Sequence, residues 1–106
     1  MKIVFNSEIG HIANSHALMT KKFGALIAEC FRRRLDDLDA ASSLNDLRVL
    51  PGKIALVSKL NPVVFAIQLG NTAVLLLSPI PAVAKLTDSF DWSTVKSVQI
   101  LGVRHD

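Results

Sequence analysis

Apolar residues recur every three or four positions through the first half of the chain, as one face of a helix requires. This apolar stripe comprises Phe23, Leu26, Ile27, Cys30, Phe31, Leu35 and Leu38. The spacing predicts one continuous helix, capped by Thr20 at its start and ended by the small and polar residues 40–43. The opposite face carries charged side chains, as expected of a helix that packs on a core.

Two shorter helical segments are predicted on either side of this stripe. Apolar positions within residues 9–17 also repeat at helical spacing after Asn6, so a first helix is predicted to run to about Leu18. One further turn of helix is predicted over residues 44–49. Pro51 stops it, because proline disfavours helical backbone at the residue before it.

β-prone runs dominate the second half of the chain. Strands are predicted over residues 3–5, 53–59, 63–69, 72–77 and 94–103. Gly70 and Asn71 are predicted to form a two-residue hairpin loop, because both residues tolerate positive φ. Residues 78–92 contain two prolines and show no clear period, which predicts a long loop.

The predicted order is one strand, two helices and then an antiparallel meander of four strands. This order predicts an α+β fold, with two N-terminal helices packed on a twisted antiparallel sheet of four to five strands. The 106 residues form one domain, because a second hydrophobic core does not fit in that length. The apolar residues 63–84 are interrupted by Gln68, Gly70 and two prolines, which favours buried strands over a membrane span.

Composition adds a mild basic excess to this picture. Twelve Lys and Arg against nine Asp and Glu give a formal charge of +3, which permits a nucleic-acid partner without requiring one. Cys30 is the only cysteine, so a disulfide framework and a Cys-rich zinc site are excluded, and a reducing cytoplasm is expected. Because Cys30 lies on the apolar stripe, it is expected to belong to the core.

Histidines and the arginine cluster give little specific chemistry. His11 and His16 are five residues apart on the predicted first helix, which places them on different faces and argues against a metal site. Residues Arg32–Arg34 allow two interpretations, a phosphate-binding face or a surface neutralised by pairs such as Arg32 with Asp36 and Arg33 with Asp37. The second is favoured, because the acidic residues nearly match the basic ones in number.

A looser basic group provides the candidate phosphate-binding residues: Lys21, Lys22, Arg48, Lys53 and Lys59. The last three come from the connector and the first strand of the meander, where they can line one groove. No aromatic residues are interleaved with them and tyrosine is absent, which weakens the case for base stacking. Serine-nucleophile, phosphate-loop and paired-zinc motifs are missing.

Several segments together resemble HigB-type toxins of the RelE/ParE superfamily, often labelled plasmid-maintenance killer proteins. The segments are RLDDLDAA at 34–41, DLRVLPG at 46–52, MKIVFNS at 1–7, and FDWSTV at 90–95 followed by IL at 100–101. The resemblance implies helices packed on a twisted antiparallel sheet and a cytoplasmic toxin paired with a helix-turn-helix antitoxin. It also implies metal-free and cofactor-free cleavage of messenger RNA on the ribosome.

The candidate catalytic residues follow from the same resemblance. The family uses Arg, Lys, His and Tyr from the meander and the C-terminal end, which here points to Arg104 and His105. Ala73 and Val74 stand where the family has an aromatic–Arg pair, and the chain lacks the family's terminal Tyr. RNA cleavage is therefore expected to be weakened or lost.

Two functional hypotheses remain. In the first, the chain cleaves RNA, with Lys53 and Lys59 on the phosphate and Arg104 or His105 assisting. In the second, it is a non-catalytic module that binds an antitoxin or a second copy of itself through an apolar sheet face. The apolar residues 54–57 and 73–74 predict either that this face is covered by another chain or that the sheet is buried on both sides.

Overall fold

A computed structural model describes residues 1–48, 54–58, 63–83 and 85–105. The helices are α1 (Ser7–Ala13), α2 (His16–Phe23), α3 (Ala25–Ala40) and α4 (Leu44–Leu47). The strands are β1 (Lys2–Phe5), β2 (Ile54–Ser58), β3 (Val64–Leu69), β4 (Ala73–Pro79) and β5 (Ser97–His105). The predicted α+β class is confirmed. α4 lies within the helical turn predicted over residues 44–49, and the described residues before it form three helices where two were predicted.

The five strands form one mixed sheet in the order β1-β5-β4-β3-β2. The predicted meander is confirmed, since β2, β3, β4 and β5 pair antiparallel in sequence. The prediction of a wholly antiparallel sheet is wrong at β1, which pairs parallel with β5 from Lys2 opposite Ser97 to Phe5 opposite Ile100. Parallel neighbours need a crossover connection, and the helices and the meander together provide it.

The predicted first helix is broken into α1 and α2. Asn14 ends α1, and the Ser15 Oγ atom accepts the Leu18 backbone N–H at 3.2 Å, which caps α2. Thr20 lies inside α2 and does not cap α3 as predicted. Gly24, with φ of +89°, separates these two helices, because a backbone at positive φ suits glycine and cannot continue a helix.

The break at Gly24 changes which stripe residues reach the core. Phe23 belongs to α2, whereas Ile27, Phe31 and Leu38 of α3 are buried. Leu26 is 71% exposed, although its spacing predicts a core position. Ile27 lies in the same first turn of α3, so the buried face runs through Ile27, Phe31 and Leu38 and leaves Leu26 at its margin.

The meander differs from its prediction at the connections. Leu69 pairs with Ala73, so the hairpin loop has three residues instead of two, with Gly70 at φ of +65°. β4 continues to Pro79, inside the predicted loop. A 3-10 turn at Trp92–Thr94 replaces the start of the predicted last strand, because Asp91 caps that turn.

Helices cover one face of the sheet. Phe65, Leu75 and Ile100 on that face join a core that includes the buried residues of all four helices. The other face, here called the outer face, carries Ala66, Val74, Leu76 and their cross-strand partners. Ala66 and Val74 are only 5% and 7% exposed, so the predicted burial on both sides holds for the central strand β4.

Two buried strands lie within the apolar range 63–84, as predicted, and Ala84 lies outside the described residues. Most of this range makes up β3 and β4, two neighbouring strands whose residues are largely buried. Among the described residues, no helix has both the length and the apolar character that crossing a bilayer requires.

Candidate functional site

Arg104 and His105 are the last two residues of β5, opposite Val74 and Ala73 of β4. Successive residues of a strand point to opposite faces of the sheet. The His105 ring therefore lies on the helical side, 5.8 Å from the ring of Phe23 at the end of α2. Arg104 shares the outer face with Val74, and both candidate catalytic side chains are exposed.

A cleft of about 390 Å³ lies between α1, α2 and the end of β5, and is here called the β5 cleft. Its lining comprises Glu8, Ile9, Ile12, Lys22, Phe23, Leu76, Leu101, Gly102, Val103 and Arg104. The structure thus brings together two of the predicted site residues, Lys22 and Arg104. Lys21 is exposed in the same last turn of α2 but does not line the cleft.

The charges of the β5 cleft are mixed but mainly positive. The Lys22 Nζ atom lies 5.8 Å from the centroid of the Phe23 ring, within reach of a weak cation–π contact. The same ring contacts His105. Glu8, in the first turn of α1, adds one carboxylate to the lining. Neither Phe23 nor Glu8 stood out as a functional residue in the sequence, because each becomes significant only through the helix packing.

One edge of β5 borders this cleft. Pairing with β1 ends at Phe5 opposite Ile100, whereas β5 continues to His105. Leu76 pairs with Gly102 and Leu77 with Ile100, so Leu101 is an extra, bulged residue. In the described ranges, no strand lies beside β5 beyond Ile100 on the side of β1.

Arg48 lies at a second depression, also of about 390 Å³, which Ile54, Leu56, Leu86 and Trp92 complete. Its guanidinium carbon is 4.8 Å from the centroid of the Trp92 ring, a cation–π contact. Lys53 and Lys59, the other members of the predicted groove, lie outside the described residues.

Trp92 was missed as a site residue. The sequence marks Trp92 only as the single tryptophan of a basic chain. Its contact with Arg48 joins segments far apart in sequence, which residue spacing does not reveal. The Asp91 carboxylate holds the turn that presents Trp92. It accepts the Ser93 hydroxyl at 2.6 Å and the Ser93 N–H at 3.0 Å, and these bonds lower the pKa of Asp91.

The arginine cluster on α3 is paired, but with other partners than predicted. Arg32 and Arg33 both reach Glu29, at 2.7 and 3.4 Å, and Arg34 reaches Asp37 at 2.7 Å. Glu29 lies one helical turn before Arg32 and Arg33, whereas Asp37 lies one turn after Arg34, and both spacings bring side chains together on a helix. The hydrogen bond to Arg32 lowers the pKa of Glu29 and raises that of Arg32.

His11, His16 and Cys30 do not lie together in one reactive or metal-binding group. His11 and His16 are both exposed and lie on two separate helices, α1 and α2. Cys30 is partly buried and packs against the core. Within the described ranges, no group of three or more His, Cys, Asp or Glu is placed to hold a metal ion.

Comparisons of the chain with protein-family models, curated proteins and solved structures find no match. The resemblance to HigB-type toxins therefore stays a prediction. The placement of the described side chains is what bears on function, in particular the β5 cleft, the Arg48–Trp92 contact and the apolar outer face.

Proposed function

We propose that the chain is a toxin-fold protein of a type II toxin–antitoxin system that binds a partner instead of cleaving RNA. The sequence resemblance and the α+β core with its four-stranded meander support the family. The absence of RNA cleavage in this proposal rests on one observation, which is that Arg104 and His105 lie on opposite faces of the sheet.

Cleavage at a ribose 2′-OH needs a base, a cation on the phosphate and a proton donor that converge on one nucleotide. His105 faces the Phe23 ring on the helical side, whereas Arg104 lies with Val74 on the outer face. Arg48 stacks on Trp92 in a different depression. These charges can each hold an anion, but their placement does not assemble one acid–base site.

The outer face supports binding of a partner. Its central residues Ala66, Val74 and Leu76 are apolar, and the edge residue Val4 on the same side is 37% exposed. Since Ala66 and Val74 are already buried, the part of this face that another chain can cover is its edge, where the apolar side chain of Val4 is exposed. A helix-turn-helix antitoxin is the partner that the resemblance implies, and a second copy of the chain is the alternative.

Induction of the chain in bacteria tests this proposal. Alone, it is expected to leave growth and ribosome-bound message intact. Co-expressed with the product of a neighbouring helix-turn-helix reading frame, it is expected to purify as a stable complex. The absence of such a reading frame, or of the complex, contradicts the proposal.

Ribosome-dependent cleavage of messenger RNA is the second candidate function. The observation in its favour is the β5 cleft, whose lining includes Lys22, Arg104 and the Phe23 ring that His105 contacts. Under this hypothesis, induction arrests growth and cuts message. The Arg104→Ala and His105→Ala variants would then each slow cleavage by about a hundredfold or more. That result would replace the binding proposal with an enzymatic one.

A further inference from the structure

We propose that the depression beside Arg48 and Trp92 binds a small carboxylic acid with an apolar body. This depression, here called the Trp92 pocket, is lined by Arg48, Ile54, Leu56, Leu86 and Trp92. Its volume of about 390 Å³ falls in the range of small-molecule sites, which are mostly apolar with a few polar groups. The inference goes beyond the proposed function, because it assigns a small-molecule site apart from the outer face and the β5 cleft.

Strand β2 supplies two apolar walls of the pocket. Ile54 and Leu56 lie on the helical side of the sheet, since they pair with the core residues Ile67 and Phe65 of β3. β2 is an edge strand, and both side chains are half-buried at the margin of the core, as is Leu86. Half-buried apolar walls favour a hydrocarbon ligand, because it removes more of their surface from water.

The indole ring of Trp92 is held in place. Its centroid lies 4.9 Å from that of the buried Phe65 ring and 6.1 Å from that of the Phe90 ring. The Asp91 carboxylate caps the short turn that carries Trp92. A wall that is already ordered loses little freedom when a ligand binds, which favours affinity.

Arg48 brings positive charge to the pocket. It follows α4, and the Leu44 N–H at the start of that helix donates to the Val95 carbonyl at 2.9 Å, which joins α4 to the turn of Trp92. Within the described ranges, no carboxylate lies within ion-pair distance of the Arg48 guanidinium. A guanidinium over a ring keeps its N–H donors in its own plane, where one carboxylate can accept two of them.

The charge balance favours a carboxylate over a phosphate. Arg48 is the one charged residue of the described lining, and the other four lining residues are aliphatic or aromatic. One guanidinium neutralises a monoanion. A phosphate group that carries up to two charges would keep an unpaired charge against apolar walls, which costs free energy.

A nucleobase fits the pocket less well than a hydrocarbon chain. Bases of single-stranded RNA stack on open aromatic rings that lie along a track of cations. The Trp92 ring is already contacted by Arg48, Phe65 and Phe90, and the described lining offers a single cation. An aliphatic body needs no free ring face, so it suits the aliphatic walls.

Fluorescence of Trp92 provides a direct binding assay. The chain has one tryptophan and no tyrosine, so its indole emission comes from the pocket itself. Octanoate, which does not absorb at these wavelengths, is expected to change this emission in a saturable manner. Octanamide has the same apolar chain without the charge and should bind about tenfold or more weakly. Octanamide that binds as tightly as octanoate would overturn the proposed recognition of a carboxylate.

Substitutions in the lining test the location of the site. Arg48→Gln should weaken octanoate binding by about tenfold or more and leave octanamide binding unchanged. Leu86→Glu and Leu86→Lys remove the same apolar side chain but add opposite charges, so octanoate should bind more tightly to Leu86→Lys. Lys96→Gln, an exposed control outside the lining, should have no effect. Unchanged octanoate binding in folded Arg48→Gln, or equal binding in the two Leu86 variants, contradicts the proposal.

Nuclear magnetic resonance and competition identify the occupant. Octanoate should shift the methyl signals of Ile54, Leu56 and Leu86 and the indole signal of Trp92, whereas inorganic phosphate should not. The proposal is overturned if octanoate shifts none of these signals, or if inorganic phosphate or a ten-nucleotide oligouridine displaces it at equal concentration. An apolar tripeptide that binds through its C-terminal carboxylate more tightly than octanoate would also overturn it, because the occupant would then be the end of a protein chain.

Discussion

Asn6, directly after β1, joins α1 to β5 through its side chain. Its Oδ1 atom accepts the Ile9 N–H at 3.0 Å at the start of α1, and its Nδ2 atom donates to the Leu101 carbonyl at 2.5 Å in β5. The helix start at Asn6 could be predicted, because asparagine is a preferred N-cap. The bond to Leu101 could not, because it depends on a bulge in a strand from the far end of the sequence.

Substitutions at Asn6 separate these two bonds. Asn6→Ser keeps a capping oxygen but loses the longer side-chain amide that donates to the Leu101 carbonyl, and should lower the free energy of unfolding by about 1 kcal/mol. Asn6→Ala loses both bonds and should cost about 2 kcal/mol. Urea denaturation followed by circular dichroism measures both values. Asn14→Ala, at an exposed position with a backbone cap, should change stability by less than about 0.5 kcal/mol. Equal costs for Ser and Ala would contradict the capping bond to Ile9, and an Asn6→Ser variant as stable as the unmodified chain would contradict the bond to Leu101.

Single site residues show what a sequence can and cannot indicate. Lys22, Arg48 and Arg104 stand out as cations in a basic chain, and their residue type permits anion binding. Their partners do not stand out. Lys22 and Arg104 line one cleft only because α2 packs beside the end of β5, and Arg48 meets Trp92 only through the turn before β5. Such convergence depends on tertiary packing, which spacing along the chain does not encode.

Among the elements, α3 shows how a correct period can still misplace residues. The stripe predicts a helical face through Leu26 and Ile27, but periodicity does not reveal that Gly24 interrupts the helix. With the start at Ala25, Ile27 is 6% exposed and Leu26 is 71% exposed. Adjacent residues of similar hydrophobicity therefore differ in burial by an order of magnitude.

Ile27→Ala and Leu26→Ala form a matched pair that tests this placement. Ile27→Ala removes buried methyl groups from the core and should lower the free energy of unfolding by about 2–4 kcal/mol. Leu26→Ala removes an exposed side chain and should change it by less than about 0.5 kcal/mol. Chemical denaturation of the two purified variants gives both values. A cost at Leu26 equal to that at Ile27 would place the helix face where the stripe alone predicts it.

Strand predictions succeeded where the signal is local and failed where it is not. Short β-prone runs and the glycine at position 70 predicted the meander, because neighbouring strands are joined by short connections. The loop length was wrong, since Thr72 does not pair and Leu69 faces Ala73. The parallel pairing of β1 with β5 joins opposite ends of the chain and has no local signal.

At the scale of the whole molecule, β1 ties the helices to the meander. Ile3 and Phe5 pack against the common core while β1 pairs with β5. The buried residues of every helix belong to that same core. Nothing in the described ranges forms a separate core, so the helical layer and the sheet should unfold together.

Ile3→Ala tests this cooperativity. It removes a partly buried side chain and should lower the free energy of unfolding by about 2 kcal/mol, whereas Val4→Ala, on the outer face, should cost less. Two probes follow the transition: far-ultraviolet circular dichroism reports on the helices, and fluorescence of Trp92, which contacts Phe65 of β3, reports on the meander. Because both layers share one core, the two probes should shift together in Ile3→Ala. A fluorescence transition that keeps its midpoint while the helical signal melts earlier would show that the meander holds its fold without β1, and that the helices are a separable layer.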